Sequence, residues 1–323
     1  MSKRKSLAAW DAAVNKYLTT RHALGRLYEN EEYTLGHLRR FLMREGAGDL
    51  NEQHFNRWRA AFYRLSNPTR TKRERIVYNF CLYRRRDEPD CYVPDPDSFA
   101  RPKPMPLPRI IESEQVVRLL RYVSALMPTG REPLRPIVLR VAILLLYTTG
   151  LRRGELQRLT LGDVDARRGV IFVRQSKFYK SRWVPLSPSM RAELRSYLDA
   201  HKRAGFASHP SAPLICHARG QPYTGVGMGR TLTELLDAVG IRDQNGRRPR
   251  VQDFRHSFAV AALLRWYENG ANVQVNLPKL ALYMGHVSIV STAYYLRWMP
   301  AVVACAGERF GRAFAEVIDG GAP

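Results

Sequence analysis

Seven prolines lie between Glu88 and Pro108, at positions 89, 94, 96, 102, 104, 106 and 108. Each fixes φ and removes a backbone donor, so no helix can run through this stretch and an extended, polyproline-like course is expected. The chain of 323 residues therefore reads as two lobes on a stiff linker. The expected division is a helical lobe over 1–88, the linker over 89–108, a larger lobe over 109–300 and a tail over 301–323.

Charge narrows the partner. Lys plus Arg number 52 against 29 Asp plus Glu, a formal net of +23 with a pI near 10.3. Such a surplus repels itself unless a polyanion screens it, which points to nucleic acid or an acidic surface and away from small neutral substrates. The best apolar run, Val141 to Tyr147, is too short to span a bilayer and reads as a buried helix. The basic N-terminus lacks the apolar core of a signal peptide, so a cytoplasmic location is expected. Cys81, Cys91, Cys216 and Cys305 are scattered without zinc-site spacing and read as reduced thiols, with no metal implied.

Leu7, Trp10, Val14 and Leu18 recur at helical spacing, as do Leu35, Leu38, Phe41 and Leu42, so the first lobe reads as a small helical bundle. Between positions 64 and 86, eight Arg and Lys residues face Glu74 alone. With Tyr78 and Tyr83 among them, a phosphate-tracking face is expected, and Arg70, Lys72, Arg73 and Arg75 are its candidate contacts. A clamp around a duplex about 20 Å wide would suit two lobes on a stiff linker.

The second lobe reads as mostly α with a small β-sheet. Pro136 to Tyr147 is apolar on nearly every face and Gly150 ends it; Val170, Phe172, Trp183, Val184 and Leu186 flank a polar loop, a hairpin whose tip carries Lys177, Lys180 and Arg182. Helical periodicity returns over 190–197, 232–239, 254–266, 277–284 and 292–296. Gly225, Gly227 and Gly229 read as a loop entering a helix at Thr231. P-loop, zincin and hydrolase-elbow motifs are absent, and Asp163 with Asp165 lacks a third acidic ligand, so a turn is their expected role.

Four segments remain, each placing a cation or a proton-transfer group beside an element boundary: Thr149 to Leu156, the hairpin with Lys177, Gln252 to Phe258, and Met284-Gly285-His286 followed by Thr292 to Tyr295. In this order they resemble the tyrosine recombinase (phage integrase) family over most of 110–300. The family's boxes T-G-L-R-x-x-E-L, H-x-x-R-H, L-G-H and T-x-x-Y appear here as TGLRRGEL, QDFRH, MGH and TAYY. The resemblance implies a mainly α fold with a small sheet: an N-terminal helical, SAM-like core-binding domain and a C-terminal tyrosine-recombinase catalytic domain.

It also implies the site. Arg152 and Arg255 would be the guanidinium forks that meet the non-bridging oxygens of a DNA phosphodiester. Lys177, aligned by counting back from Val184-Pro185-Leu186, would protonate the leaving 5′ oxygen, with Lys180 as runner-up and expected phosphate contact. His286 would hydrogen-bond the transferred phosphate. Tyr295, selected over Tyr294 by the T-x-x-Y count and the nine-residue offset from His286, would be the nucleophile of a 3′-phosphotyrosyl intermediate. Gln252 departs from the family's His: it can donate a hydrogen bond but cannot shuttle a proton. Glu155 would buttress the basic groups, His256 would be a buried structural residue, and Lys180, Arg182, Arg247 and Arg248 would contact DNA. No cofactor is implied. The expected partner is double-stranded DNA, bound in a synaptic tetramer with the tail exchanged between protomers, in the cytoplasm at the nucleoid. The rival readings are a type IB topoisomerase, or an idle DNA-binding accessory protein, which Gln252 alone favours.

Overall fold

Caps and apolar periodicity set the first helices. Asn51 caps its helix by accepting from the backbone of His54 at 2.8 Å, and Pro68 sits in a first turn, where its missing donor costs nothing. The computed structural model describes residues 7–99, 101, 108–130, 132–174, 181–217, 220–243, 245–286, 288 and 290–297, and the chain divides into two units, Met1–Pro106 and Leu107–Pro323.

In the first unit, α1 (Ala8–Ala23), α2 (Glu29–Arg44), α3 (Glu52–Ala60) and α4 (Asn67–Arg84) enclose an aromatic core. Trp10, Tyr17, Phe55, Trp58 and Phe80 are buried there, and Trp10 meets Phe80 edge-on with centroids 5.0 Å apart. The proline-rich stretch departs from the linker expected over 89–108. Tyr92, Val93 and Phe99 join the bundle core, and Arg59 donates to the side chain and the carbonyl of Ser98 at 3.0 and 2.8 Å. Prolines exclude helix here, but the apolar residues between them still collapse onto the nearest core. Residues 102–107 lie outside the described residues.

The second unit is built around α6 (Arg135–Thr149), whose residues from Val138 to Leu146 are mostly buried. Against it pack α5 (Ser113–Ser124), α7 (Arg153–Arg158), α8 (Pro188–Arg203) and α10 (Val251–Glu268). Strands β1 (Val164–Asp165), β2 (Val170–Val173) and β3 (Arg182–Pro185) form an antiparallel sheet in that order, with Val173 opposite Arg182 and Ile171 opposite Val184. The helix α9 (Gly225–Ala238) precedes α10, and α11 (Val273–Met284) and α12 (Val290–Arg297) close the described chain. The fold class matches expectation: mainly helical with one small sheet.

Gly225, Gly227 and Gly229 do not form a loop; they are the first turns of α9, capped by Thr224, whose hydroxyl accepts from Gly227 at 3.0 Å. A Cβ at Gly229 would lie 2.6 Å from a guanidinium nitrogen of Arg153, a contact that this flexible side chain would have to shift to relieve. At the end of α6, Gly150 adopts φ 62°, and a Cβ there would fall 2.5 Å from the Phe258 ring. No described helix is long and apolar enough to cross a membrane.

Candidate active site

Turn spacing on α10 puts Gln252, Arg255 and His256 on one side of the helix. Arg255 is 1% exposed, and its two terminal nitrogens donate to main-chain carbonyls, of Gly150 at 2.5 Å and of Met284 at 2.6 Å. The turn that Gly150 makes after α6 thus presents a carbonyl to the arginine of a helix a hundred residues later. Arg152, just after that turn, donates to the Gly285 carbonyl at 2.9 Å and to Oε1 of Glu155 at 2.7 Å.

Arg182 completes the set. Its Nε donates to the Tyr283 carbonyl at 2.7 Å, and its other nitrogens reach both oxygens of Glu155 at 3.1 and 2.8 Å. Three successive carbonyls at the C-terminal end of α11, those of 283, 284 and 285, therefore each accept from a different arginine. A helix C-terminus carries partial negative charge and orphan carbonyls, so the cations are stabilised without being neutralised. Buried Glu155 supplies a full negative charge, shared by Arg152 and Arg182. Arg182, a candidate DNA contact by sequence, is instead 9% exposed and structural, because it shares the inward face of β3 with Val184.

This arrangement undercompensates Arg255. Burial, then the nearby Arg152, push its pKa down to about 9, against the opposing pull of Glu155 and Tyr295. His286, one residue beyond α11's glycine cap, is held neutral by burial and by Arg255, Arg152 and Arg182, its pKa down to about 3. Its Nδ1 lies 2.7 Å from the hydroxyl of buried Thr292. Tyr295, on α12 and 3% exposed, places its hydroxyl 2.8 Å from Nδ1 of His256 and its ring stacked 6.5 Å from that of His286.

The sequence profile described as the phage integrase family matches residues 109–300. A Sinorhizobium fredii (strain NBRC 101917 / NGR234) protein assigned as integrase/recombinase y4rE is 31% identical over 96% of each chain. The chain belongs to the phage integrase family of tyrosine recombinases. The tyrosine recombinase XerA of Thermococcus kodakarensis is 29% identical over 81% of this chain and 82% of its own. Among solved structures, the Tn1549 transposon integrase in complex with circular intermediate DNA covers 93% of this chain and 99% of its own at TM-score 0.64 and 18% identity, a shared fold.

In this member of the family, cations surround Gln252. Gln252 lines a cavity of about 900 Å³ together with Arg109, Arg152, Arg153, Arg230, Arg247, Arg248 and Arg250. Arg247 and Arg248 are thus on a basic wall beside the site, although Arg248 is also paired with Asp237. Lys177 and Lys180 lie outside the described residues, as does the tail over 301–323. In the first unit Lys72 and Arg75 are exposed, Arg70 and Arg73 are half-buried, and Arg73 sits over the Phe62 ring at 4.6 Å. Arg84, counted in the basic face, is buried between Asp49 and Glu88 instead.

Sequence reasoning misses three features of the site. The inward position of Arg182 is readable from strand alternation with Val184. The first residue of T-x-x-Y has a physical task, since Thr292 engages His286. The contact of His256 with Tyr295 joins two boxes 39 residues apart, which no local pattern reports. Among the described residues no group of three His, Cys, Asp or Glu side chains is placed to hold a metal.

Proposed function

We propose that this chain cleaves and rejoins DNA strands at specific sites through a 3′-phosphotyrosyl intermediate on Tyr295. The observation that carries the reading is the undercompensated Arg255, buried on the α11 terminus beside His286 and electrostatically coupled to Tyr295. A buried cation whose donors go to neutral carbonyls keeps its attraction for an anion, and a phosphoryl-transfer transition state offers more negative charge than the ground state.

In this reading Arg152 and Arg255 neutralise the non-bridging oxygens. Thr292 donates to Nδ1 of His286, which leaves the proton on Nε2 available to the phosphate. Gln252 adds a hydrogen bond from the basic cavity, Lys177 protonates the departing 5′ oxygen, and Tyr295 becomes esterified to the 3′ end. Glu155 and Arg182 hold the arginines in place. The unit over 1–106 tracks the backbone with Lys72 and Arg75, while Arg247 and Arg248 do so beside the site. Two duplexes are exchanged within a tetramer at the nucleoid, with the tail over 301–323 docking on a neighbouring protomer.

The test is a nicked suicide duplex that traps covalent protein. The expected result is an adduct on Tyr295 that Tyr295→Phe abolishes while DNA binding persists. An adduct retained by that variant overturns the assignment of the nucleophile. Supercoil relaxation by a monomer, with no exchange between two sites, would transfer the chain to the topoisomerase reading.

A further inference from the structure

The proposed nucleophile must lose a proton in order to attack, and Gln252 cannot accept one. We propose that His256 is the catalytic proton acceptor for Tyr295: its Nδ1 takes the hydroxyl proton as the phenol oxygen attacks phosphorus, with Asp253 stabilising the imidazolium that forms. This deepens the reading of the same site and rests on Tyr295 being the nucleophile.

The geometry is that of a base already in contact. The Tyr295 oxygen is 2.8 Å from Nδ1 of His256, inside a shell where Tyr295 is 3% exposed. On the far side of the ring, Nε2 lies 3.9 Å from Oδ1 of Asp253, which is fully buried. A carboxylate on that side favours the tautomer with its proton on Nε2, leaving the Nδ1 lone pair to accept from the phenol. Asp253 is itself held by the backbone of Arg250 at 2.6 Å and its guanidinium at 3.2 Å, so a fixed carboxylate faces, without hydrogen-bonding, the imidazole that contacts the phenol. The other imidazole in the site, His286, has its Nδ1 engaged with Thr292.

The groups facing His256 also set when it acts. From its own helix these are Asp253 and Arg255, with Arg250 at the helix cap; from α12, Tyr295; and from the segment after α11, His286. Burial, Arg250 and Arg255 hold its pKa down to about 4, opposed by Asp253, so the free protein carries a neutral but weak base. A phosphodiester settling on Arg255 adds negative charge next to that arginine and raises the basicity of His256. The base thus strengthens when substrate is bound. In the step, the Tyr295 O–H bond breaks and its proton moves to Nδ1, the O–P bond forms, and the P–O5′ bond breaks with the 5′ oxygen leaving on a proton from Lys177. Religation runs the same transfers backwards.

The probe is a nicked duplex recovered from a randomised pool by its covalent attachment to wild-type protein, then used for every variant. His256→Asn can still accept a hydrogen bond from the phenol but cannot take its proton, and thermal melting checks that it folds. It should slow adduct formation by about 10²-fold. Its rate should also climb with pH between about 6 and 8, where wild type is flat, because the unassisted phenol must ionise towards about 10. His256→Gly should be slow and recover with added imidazole, a rescue that a purely structural side chain would not give. Unchanged cleavage by His256→Asn, or faster cleavage, which would make the contact a restraint on Tyr295, overturns the proposal while leaving the nucleophile intact. Failure of wild type to attach to any duplex in the pool overturns both readings together. If neither variant folds, wild type must carry the test: adduct formation should fall only in acid and stay flat between about pH 6 and 8, whereas a rate that climbs steadily across that range, as an unassisted phenol requires, overturns it.

Discussion

Arg84 in the first unit and Arg255 in the second are both buried, and they are compensated in opposite ways. Arg84 lies between two carboxylates, those of Asp49 at 2.5 Å and Glu88 at 2.5 Å, and these hydrogen bonds raise its pKa despite burial. Arg255 gives its donors to the carbonyls of Gly150 and Met284, and its pKa falls to about 9. A guanidinium with two carboxylates to itself is finished: it cross-links helix and loop and has little attraction left for another anion, whereas Arg152 shares the single charge of Glu155 with Arg182. One whose terminal nitrogens go to carbonyls, with a carboxylate nearby but not bonded to it, is geometrically fixed and electrostatically more open. The same residue type therefore builds a scaffold in one place and an anion site in the other, and the acceptor decides which.

The largest effect that would sharpen this contrast is kinetic. Arg255→Ala should lower adduct formation on the trapped duplex by about 10³-fold, with less than tenfold loss of affinity. Arg84→Ala should leave the rate per bound protein unchanged. Equal losses in both variants would break the comparison.

Acid should separate the units next. His201, His256 and His286 in the second unit have depressed pKa values, against His37 alone among the described residues of the first. A histidine held neutral in the fold but free to protonate at about 6.5 when unfolded costs stability as pH falls below 6.5, until the folded pKa is reached. For His256 and His286, after allowance for solvent screening, this is on the order of 3 kcal/mol between pH 6.5 and about 4.5. Hydrogen exchange should show α10 losing protection before α4; simultaneous loss would mean the histidines do not govern it.

Arg84→Ala itself should cost about 2 kcal/mol in denaturant unfolding, since it strands two carboxylates that remain partly wet. Sulfate should then raise the melting temperature of wild type by more than that of Arg255→Ala, because a bound anion stabilises the fold that binds it. Smallest of all, Arg75→Ala and Arg247→Ala should each reduce the slope of log affinity against log salt by about 1. No change in slope would remove that residue from the backbone contacts.

Much of the site is legible in the amino-acid sequence. The boxes around Gly150, Arg255 and Gly285 are readable because each couples a chemical group to a local backbone demand, as at Gly150, where φ 62° and contact with Phe258 both exclude a side chain. The helical content and the hairpin follow from periodicity. Tyr92, Val93 and Phe99 escape because proline dominates the reading of a segment, although apolar residues decide where it packs. Arg182 escapes because a cation beside a basic loop reads as surface, whereas its partners, Glu155 and the Tyr283 carbonyl, lie 27 and 101 residues away. Pairing across such separations is set by topology and leaves no local periodic trace.

The run of three carbonyls at the end of α11 also imposes a schedule. Arg152 and Arg182 are translated about a hundred residues or more before the acceptors at 283–285 that hold them. Until that stretch has emerged from the ribosome and docked, a nascent chain carries the cationic groups without the turn that aligns them, so assembly of the anion site is deferred until α11 is made.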